Sequence, residues 1–118
     1  MQFRLKLYGK DKLNRSWVAQ KGNSDKIVGW VAVSVSKRIL EPTISARIVS
    51  LIVDETYRRQ GIAKRLMQEV EQYSETIGCK TLELVQVLGD IPGYEAFYQK
   101  LGYQNSSETT DIVQKSLP

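Results

Sequence analysis

Four cations crowd one short stretch, Arg58-Arg59-Gln60-Gly61-Ile62-Ala63-Lys64-Arg65, around a glycine and a small alanine. Residue types of this kind suit the gripping of phosphate. From Gly61 to Ile77 the apolar residues Ile62, Leu66, Val70, Tyr73 and Ile77 recur at helical spacing, so the cations sit at the start of a predicted helix. Unpaired amides make that end of a helix partially positive, and anionic side chains belong there. Here the order is inverted, with Glu69, Glu71 and Glu75 in the middle and later turns. Such an arrangement costs stability unless an external anion supplies the counter-charge. Gly61 and Ala63 would let an oxygen-rich group approach the backbone, so that free amides and guanidinium groups converge on one pyrophosphate. The cluster by itself is equally compatible with solvated surface charge and a glycine that only shapes a turn.

What the chain lacks narrows the chemistry further. It has one cysteine, Cys79, and no histidine. No internal disulfide and no cysteine-based zinc site can form, and a serine or cysteine nucleophile has no imidazole base to borrow. The expectation is therefore no metal, and a reaction run by carboxylates, tyrosines, backbone amides or a bound co-substrate. Cys79 follows a glycine that would end the helix and precedes a predicted strand, which points to burial rather than reactivity. A net charge of +4 over 118 residues suits a phosphate-bearing small molecule as readily as a polynucleotide.

The elements that must position this turn read as follows. Gln2 to Tyr8 is strand-like, Gly9 to Arg15 a loop, and Ser16 to Lys21 a second strand. Gly22-Asn23-Ser24-Asp25 is a run of turn formers before a long strand from Lys26 to Lys37, so these two strands form a hairpin. After the Glu41-Pro42 break, Ile44 to Val53 is apolar on both parities, the pattern of a central strand covered on both faces. The helix ends at Gly78; Lys80 to Val87 is strand-like, Pro92 to Leu101 helical, and Asp111 to Leu117 closes the sheet. The order is a meander of strands, then strand, helix, strand, helix, strand, in one domain spanning residues 1–118. The longest central charge-free run, Ile27 to Ser36, is about half of the ~20 residues a membrane helix needs. The start alternates polar and apolar residues and lacks the apolar core of a secretory signal. The expected location is the cytoplasm, with no membrane partner.

The segment from Val53 through Asp54-Glu55-Thr56-Tyr57-Arg58-Arg59-Gln60-Gly61-Ile62-Ala63-Lys64-Arg65-Leu66 resembles the coenzyme A signature of the GNAT superfamily of N-acyltransferases, Gln/Arg-x-x-Gly-x-Gly/Ala, with Arg58, Gly61 and Ala63 filling the pattern. Downstream, Ala96-Phe97-Tyr98-Gln99-Lys100-Leu101-Gly102-Tyr103 resembles the family's Tyr-x-x-Leu-Gly-Phe/Tyr ending, and Ile112 to Leu117 its last strand. The resemblance implies an α/β (α+β) fold of GNAT type, a central mixed and mostly antiparallel sheet flanked by helices, with acetyl-CoA as co-substrate. It implies that Ile52 and Val53 offer backbone hydrogen bonds to the pantetheine arm, and that Arg58, Arg59, Gln60, Gly61, Ile62, Ala63 and Lys64 wrap the pyrophosphate. Tyr98 matches the usual general acid, which protonates the departing thiolate after a primary amine attacks the thioester directly. Phe97 and Leu101 neighbour Tyr98 at helical spacing, so a partly core role competes with the catalytic one.

Three features depart from the family pattern. The position seven residues before Tyr98, an asparagine in many relatives, is Ile91. Between the first strand and Ser16 there is room only for Gly9 to Arg15, not for the two helices that in relatives help wall the acceptor site, which leaves an open pocket or one completed by a partner subunit in a homodimer. No carboxylate lies in Ile44 to Val53; Glu41, Glu83 and Asp90 are the candidate bases, each also readable as a solvated charge. The leading reading is an N-acetyltransferase acting on a small-molecule or peptide amine, and its alternative a non-catalytic acyl-CoA-binding or regulatory module of the same fold. A nucleic-acid binder ranks below both, since acidic residues are dispersed throughout and no aromatic-and-basic stripe is present.

Overall fold

Alternating side chains and tight turns build the first half of the chain, and helical spacing takes over after residue 61. The computed structural model describes residues 2–10, 14–37, 44–85, 94–105 and 112–118. Its strands are β1 (Phe3–Lys10), β2 (Asn14–Lys21), β3 (Ile27–Lys37), β4 (Ile44–Val53), β5 (Thr81–Val85), β6 (Gln104–Asn105) and β7 (Ile112–Ser116); its helices are α1 (Ile62–Thr76) and α2 (Tyr94–Lys100), with a 3-10 turn at Glu55–Tyr57. All seven strands share one sheet in the order β1-β2-β3-β4-β5-β7-β6. Every neighbouring pair is antiparallel except β4 and β5, which are parallel and joined through α1. This is the mixed, mostly antiparallel sheet with helices that the resemblance implies.

The expected loop from Gly9 to Arg15 is shorter than read. Gly9 and Lys10 belong to β1, Asn14 and Arg15 to β2, and only residues 11–13 between them fall outside the described residues. A register shift between Leu7 and Gly9 lets the pairing continue through the glycine.

One face of the sheet receives α1. Ile62, Leu66, Met67 and Val70 are buried there, and each such side chain stabilises the fold by about 1.5–3 kcal/mol relative to exposure. Beneath them lie Ala19, Val31, Val33, Ile48 and Leu51. Gly29 of β3 makes the close approach possible, because a Cβ at that position would lie 2.9 Å from Ile62 Cγ2 and 3.1 Å from Leu66 Cδ1.

The expectation that β4 is covered on both faces is corrected. It is the middle strand of seven, yet Val49 and Ile52 are 61% and 56% exposed. The pairing Ala32↔Ser50 is followed by Val33↔Ile48, so Val49 is an extra residue in a bulge. That insertion resets the alternation, and Ile48 and Leu51, three apart, both face α1. Apolar residues on both parities thus record a bulge rather than two packed faces.

Candidate active site

Strands β4 and β5 run parallel only over Ser45↔Thr81 to Ile48↔Leu84. Among the described residues, the remainder of β4, Val49 to Val53, has no strand partner on the β5 side. The amide of Asp54 donates to the carbonyl of Val28 at 2.8 Å. In an antiparallel ladder backbone groups alternate in direction, so Ile52, opposite Trp30, turns its backbone toward β3, while Leu51 and Val53 turn theirs outward to the unpaired side. Val53 is thereby positioned to offer backbone groups to an extended ligand. Ile52, named with it from sequence, instead presents an exposed side chain. The Val53 carbonyl already accepts from Arg58 Nε at 3.2 Å.

The chain leaves β4 through a tightly specified turn. The Asp54 side chain accepts from the Thr56 amide at 2.9 Å, the Tyr57 amide donates to the Asp54 carbonyl at 2.9 Å, and the 3-10 turn ends at an extended Arg58. Arg59 then adopts φ 64° and Gly61 φ 80°, both left-handed. For the non-glycine Arg59 this conformation costs about 1–2 kcal/mol. A Cβ on Gly61 would meet nothing within 4 Å, so the glycine serves the backbone conformation and leaves open space in front of it.

Gly61 is the N-cap of α1 and supplies no side-chain hydrogen bond; the first helical bond runs from the Arg65 amide to the Gly61 carbonyl at 3.0 Å. No backbone carbonyl among the described residues accepts from the amides of Gly61, Ile62, Ala63 or Lys64. The first turn of α1 contains no acidic residue. Arg58, Arg59, Gln60, Gly61 and Lys64 are exposed, Ala63 is half-buried, and Ile62 sends its side chain into the core while its amide remains at the helix end. The turn thus brings together the uncapped amides and cations that the sequence places there, a constellation able to bind an anion through backbone and guanidinium donors at once.

Tyr98 is in α2, 1% exposed and part of the hydrophobic core. Its ring lies edge-on to Phe97 at 5.0 Å and to Tyr103 at 5.8 Å, so its described ring contacts are with the core and not with the turn. Of the candidate bases, Glu41 and Asp90 lie outside the described residues, as does Ile91. Glu83 is held by Arg47, whose Nε and Nη2 both donate to its Oε2 at 3.2 and 2.9 Å. Cys79 is buried, in keeping with its sequence context.

Two polar clusters were not read from the sequence. Tyr103 donates to Glu71 Oε1 at 2.9 Å, and Lys115 Nζ reaches both Glu71 oxygens at 3.3 Å, tying α1 to β7. Burial first, and the Glu71 charge second, hold the Tyr103 hydroxyl far above its ordinary value. Beside the turn, Lys26 Nζ donates to the Tyr57 hydroxyl at 3.4 Å, and the Lys21 and Lys26 ammonium groups lie 5.5 and 5.2 Å from the Tyr57 ring centre. Hydrogen bonding to Lys26 and then Lys21 lowers the pKa of this half-buried tyrosine's phenol. Only long-range pairing could have revealed either cluster, since their members are far apart in sequence.

A mixed sheet with a parallel pair that stops short, followed by an uncapped basic helix start, is an arrangement able to receive an extended anionic ligand. The chain belongs to the acetyltransferase (GNAT) family, whose model matches residues 2–103. It is 29% identical over 96 residues to the uncharacterized protein YdhI of Bacillus subtilis (strain 168), covering 78% of this chain and 59% of that one. It is 31% identical over 97 residues to N-acetyltransferase 8 of Homo sapiens, covering 79% of this chain and 40% of that one. The chain therefore spans well under two thirds of the length of these curated relatives. The fold is shared with the GNAT family N-acetyltransferase YhbS of Escherichia coli, solved in complex with CoA, at TM-score 0.70 and 22% identity over 90% of this chain and 60% of that one. Among the described residues no helix is long and apolar enough to cross a membrane.

Proposed function

We propose that the chain, as a single domain over residues 1–118, is an N-acetyltransferase that transfers the acetyl group of acetyl-CoA to a primary amine of a small molecule or peptide. The observation that carries this reading is the junction of the unpaired end of β4 with the left-handed turn and uncapped start of α1. The pyrophosphate would lie against the amides of Gly61 to Lys64 and the side chains of Arg58, Arg59 and Gln60. The pantetheine arm would run along the outward backbone of Val53 and Leu51, in place of a further β5 residue.

In this reading the amine nitrogen attacks the thioester carbonyl carbon, the carbon–sulfur bond breaks as the tetrahedral intermediate collapses, and the Tyr98 hydroxyl gives its proton to the departing thiolate. The substrate ammonium gives up one proton to solvent or to a carboxylate before its nitrogen can attack, and the nitrogen gives up a second as the amide forms, which restores the Tyr98 phenol through solvent. The core placement of Tyr98 favours the second reading, a non-catalytic acyl-CoA-binding module of the same fold. Substituting Tyr98→Phe separates the two. An enzyme that uses the phenol loses turnover about 10²–10⁴-fold with cofactor affinity retained; turnover equal to that of the unaltered protein removes Tyr98 from the mechanism. No acetyl transfer by the unaltered protein to any amine of a broad panel, with acetyl-CoA bound, decides for the binding module. The cytoplasm remains the proposed location, and a homodimer the proposed means of completing the acceptor side.

A further inference from the structure

We infer that Lys21, Lys26 and the Tyr57 hydroxyl form a subsite for a phosphate monoester, and that this monoester is the 3′-phosphate on the ribose of coenzyme A. The inference rests on the cofactor reading above and adds to the pyrophosphate turn a second anion contact on a different element. Lys21 ends β2 and Lys26 precedes β3; the Lys21 amide donates to the Lys26 carbonyl at 3.0 Å, which fixes the two side by side across the hairpin. Their ammonium groups converge on one phenol from 5.5 and 5.2 Å.

Two like charges drawn to a single neutral ring repel one another unless an anion sits between them. The nearby acids are otherwise engaged or outside ion-pair distance. Asp25 lies 3.8 Å from Arg4, the Asp54 side chain accepts from the Thr56 amide, and Glu55 forms no ion pair among the described residues. Two ammonium groups and a hydroxyl make three donor groups of differing direction, matching the three terminal oxygens and the charge of nearly −2 of a phosphate monoester better than a planar carboxylate.

The position fits one ligand spanning both sites. Tyr57 is followed directly by Arg58, and only three residues separate it from Gly61. Even a fully extended chain would hold the two within about 14 Å, and the turn brings them nearer. A 3′-phosphate and a pyrophosphate borne on the same ribose could then be held together, and the lowered pKa of the phenol agrees with the positive field such a group would meet.

The test is calorimetric titration of the full chain with CoA and with 3′-dephospho-CoA, which differ only in this group. The unaltered protein should prefer CoA by about tenfold, a typical size for a charge-assisted contact at the surface. In the Lys21→Gln/Lys26→Gln double variant the ratio should fall to near one while affinity for 3′-dephospho-CoA is kept. Lys6→Gln, which removes an exposed charge on β1, should leave the ratio unchanged and so control for net charge. Equal affinity of the two ligands for the unaltered protein, or a preference the double variant preserves, overturns the subsite alone. Failure of both ligands to bind overturns the cofactor reading and the subsite with it.

Discussion

Gly29→Ala tests whether β3 sets the position of the turn proposed to bind the cofactor's phosphates. The added methyl would lie 2.9 Å from Ile62 Cγ2 and 3.1 Å from Leu66 Cδ1, where ordinary contact begins at 3.4 Å. Ile62 and Leu66 are 1% and 0% exposed, so neither can swing away, and the first turns of α1 must retreat by roughly half an ångström. Overpacking of this kind costs about 1–3 kcal/mol, offset in part by the lower chain entropy of alanine, leaving a net loss of about 1–2 kcal/mol. Urea unfolding should show it as a lower midpoint with an unchanged slope. Because the free amides of Ile62, Ala63 and Lys64 ride on the displaced turn, CoA affinity should fall severalfold as well. Ile62→Leu removes the branch that is struck first, so the double variant should be more stable than the two single losses predict, by at least about 0.5 kcal/mol. Wild-type stability and affinity in Gly29→Ala, or strict additivity in the double variant, would refute the proposed seating of α1.

Tyr103→Phe should cost about 1–2 kcal/mol near neutral pH, measured by urea unfolding, through loss of the hydrogen bond to Glu71. It should also flatten the alkaline limb. Above pH about 10 the unfolded chain releases the phenolic proton that the native state keeps, so wild-type stability falls with rising pH by up to about 1.4 kcal/mol per unit more steeply than that of the variant. Arg47→Gln breaks the ion pair with Glu83 at a half-exposed site and should change stability by less than about 1 kcal/mol in the same assay. Tyr98→Phe should separate turnover from cofactor affinity in paired kinetic and calorimetric measurements, as described above.

Legibility in the sequence followed the range of the forces involved. β4 runs over Ile44–Val53 as read, and α1 over Ile62–Thr76, because helical spacing and a glycine at φ 84° after its end are local signals. The uncapped basic start of α1 was visible for the same reason. The rest depends on pairing. The bulge at Val49 exists only with respect to β3, so a strand with one packed face read as one with two. β6 is two residues long and carries no pattern of its own, and Met67, outside the spacing series, joins the core only because α1 lies flat on β3. The left-handed Arg59 could not be anticipated from a residue type that rarely adopts it. Lys21, Lys26 and Tyr57 meet only because the β2–β3 hairpin ends beside the turn after β4.

The most direct measurement of the central claim is calorimetric titration of acetyl-CoA into the unaltered protein and into an Arg58→Ala/Arg59→Ala double variant. The account predicts micromolar binding to the former and a loss of at least about tenfold in the latter, since two guanidinium groups leave the anion site. Equal affinities, or no binding to the unaltered protein, would contradict the assignment of the turn as the cofactor's phosphate site.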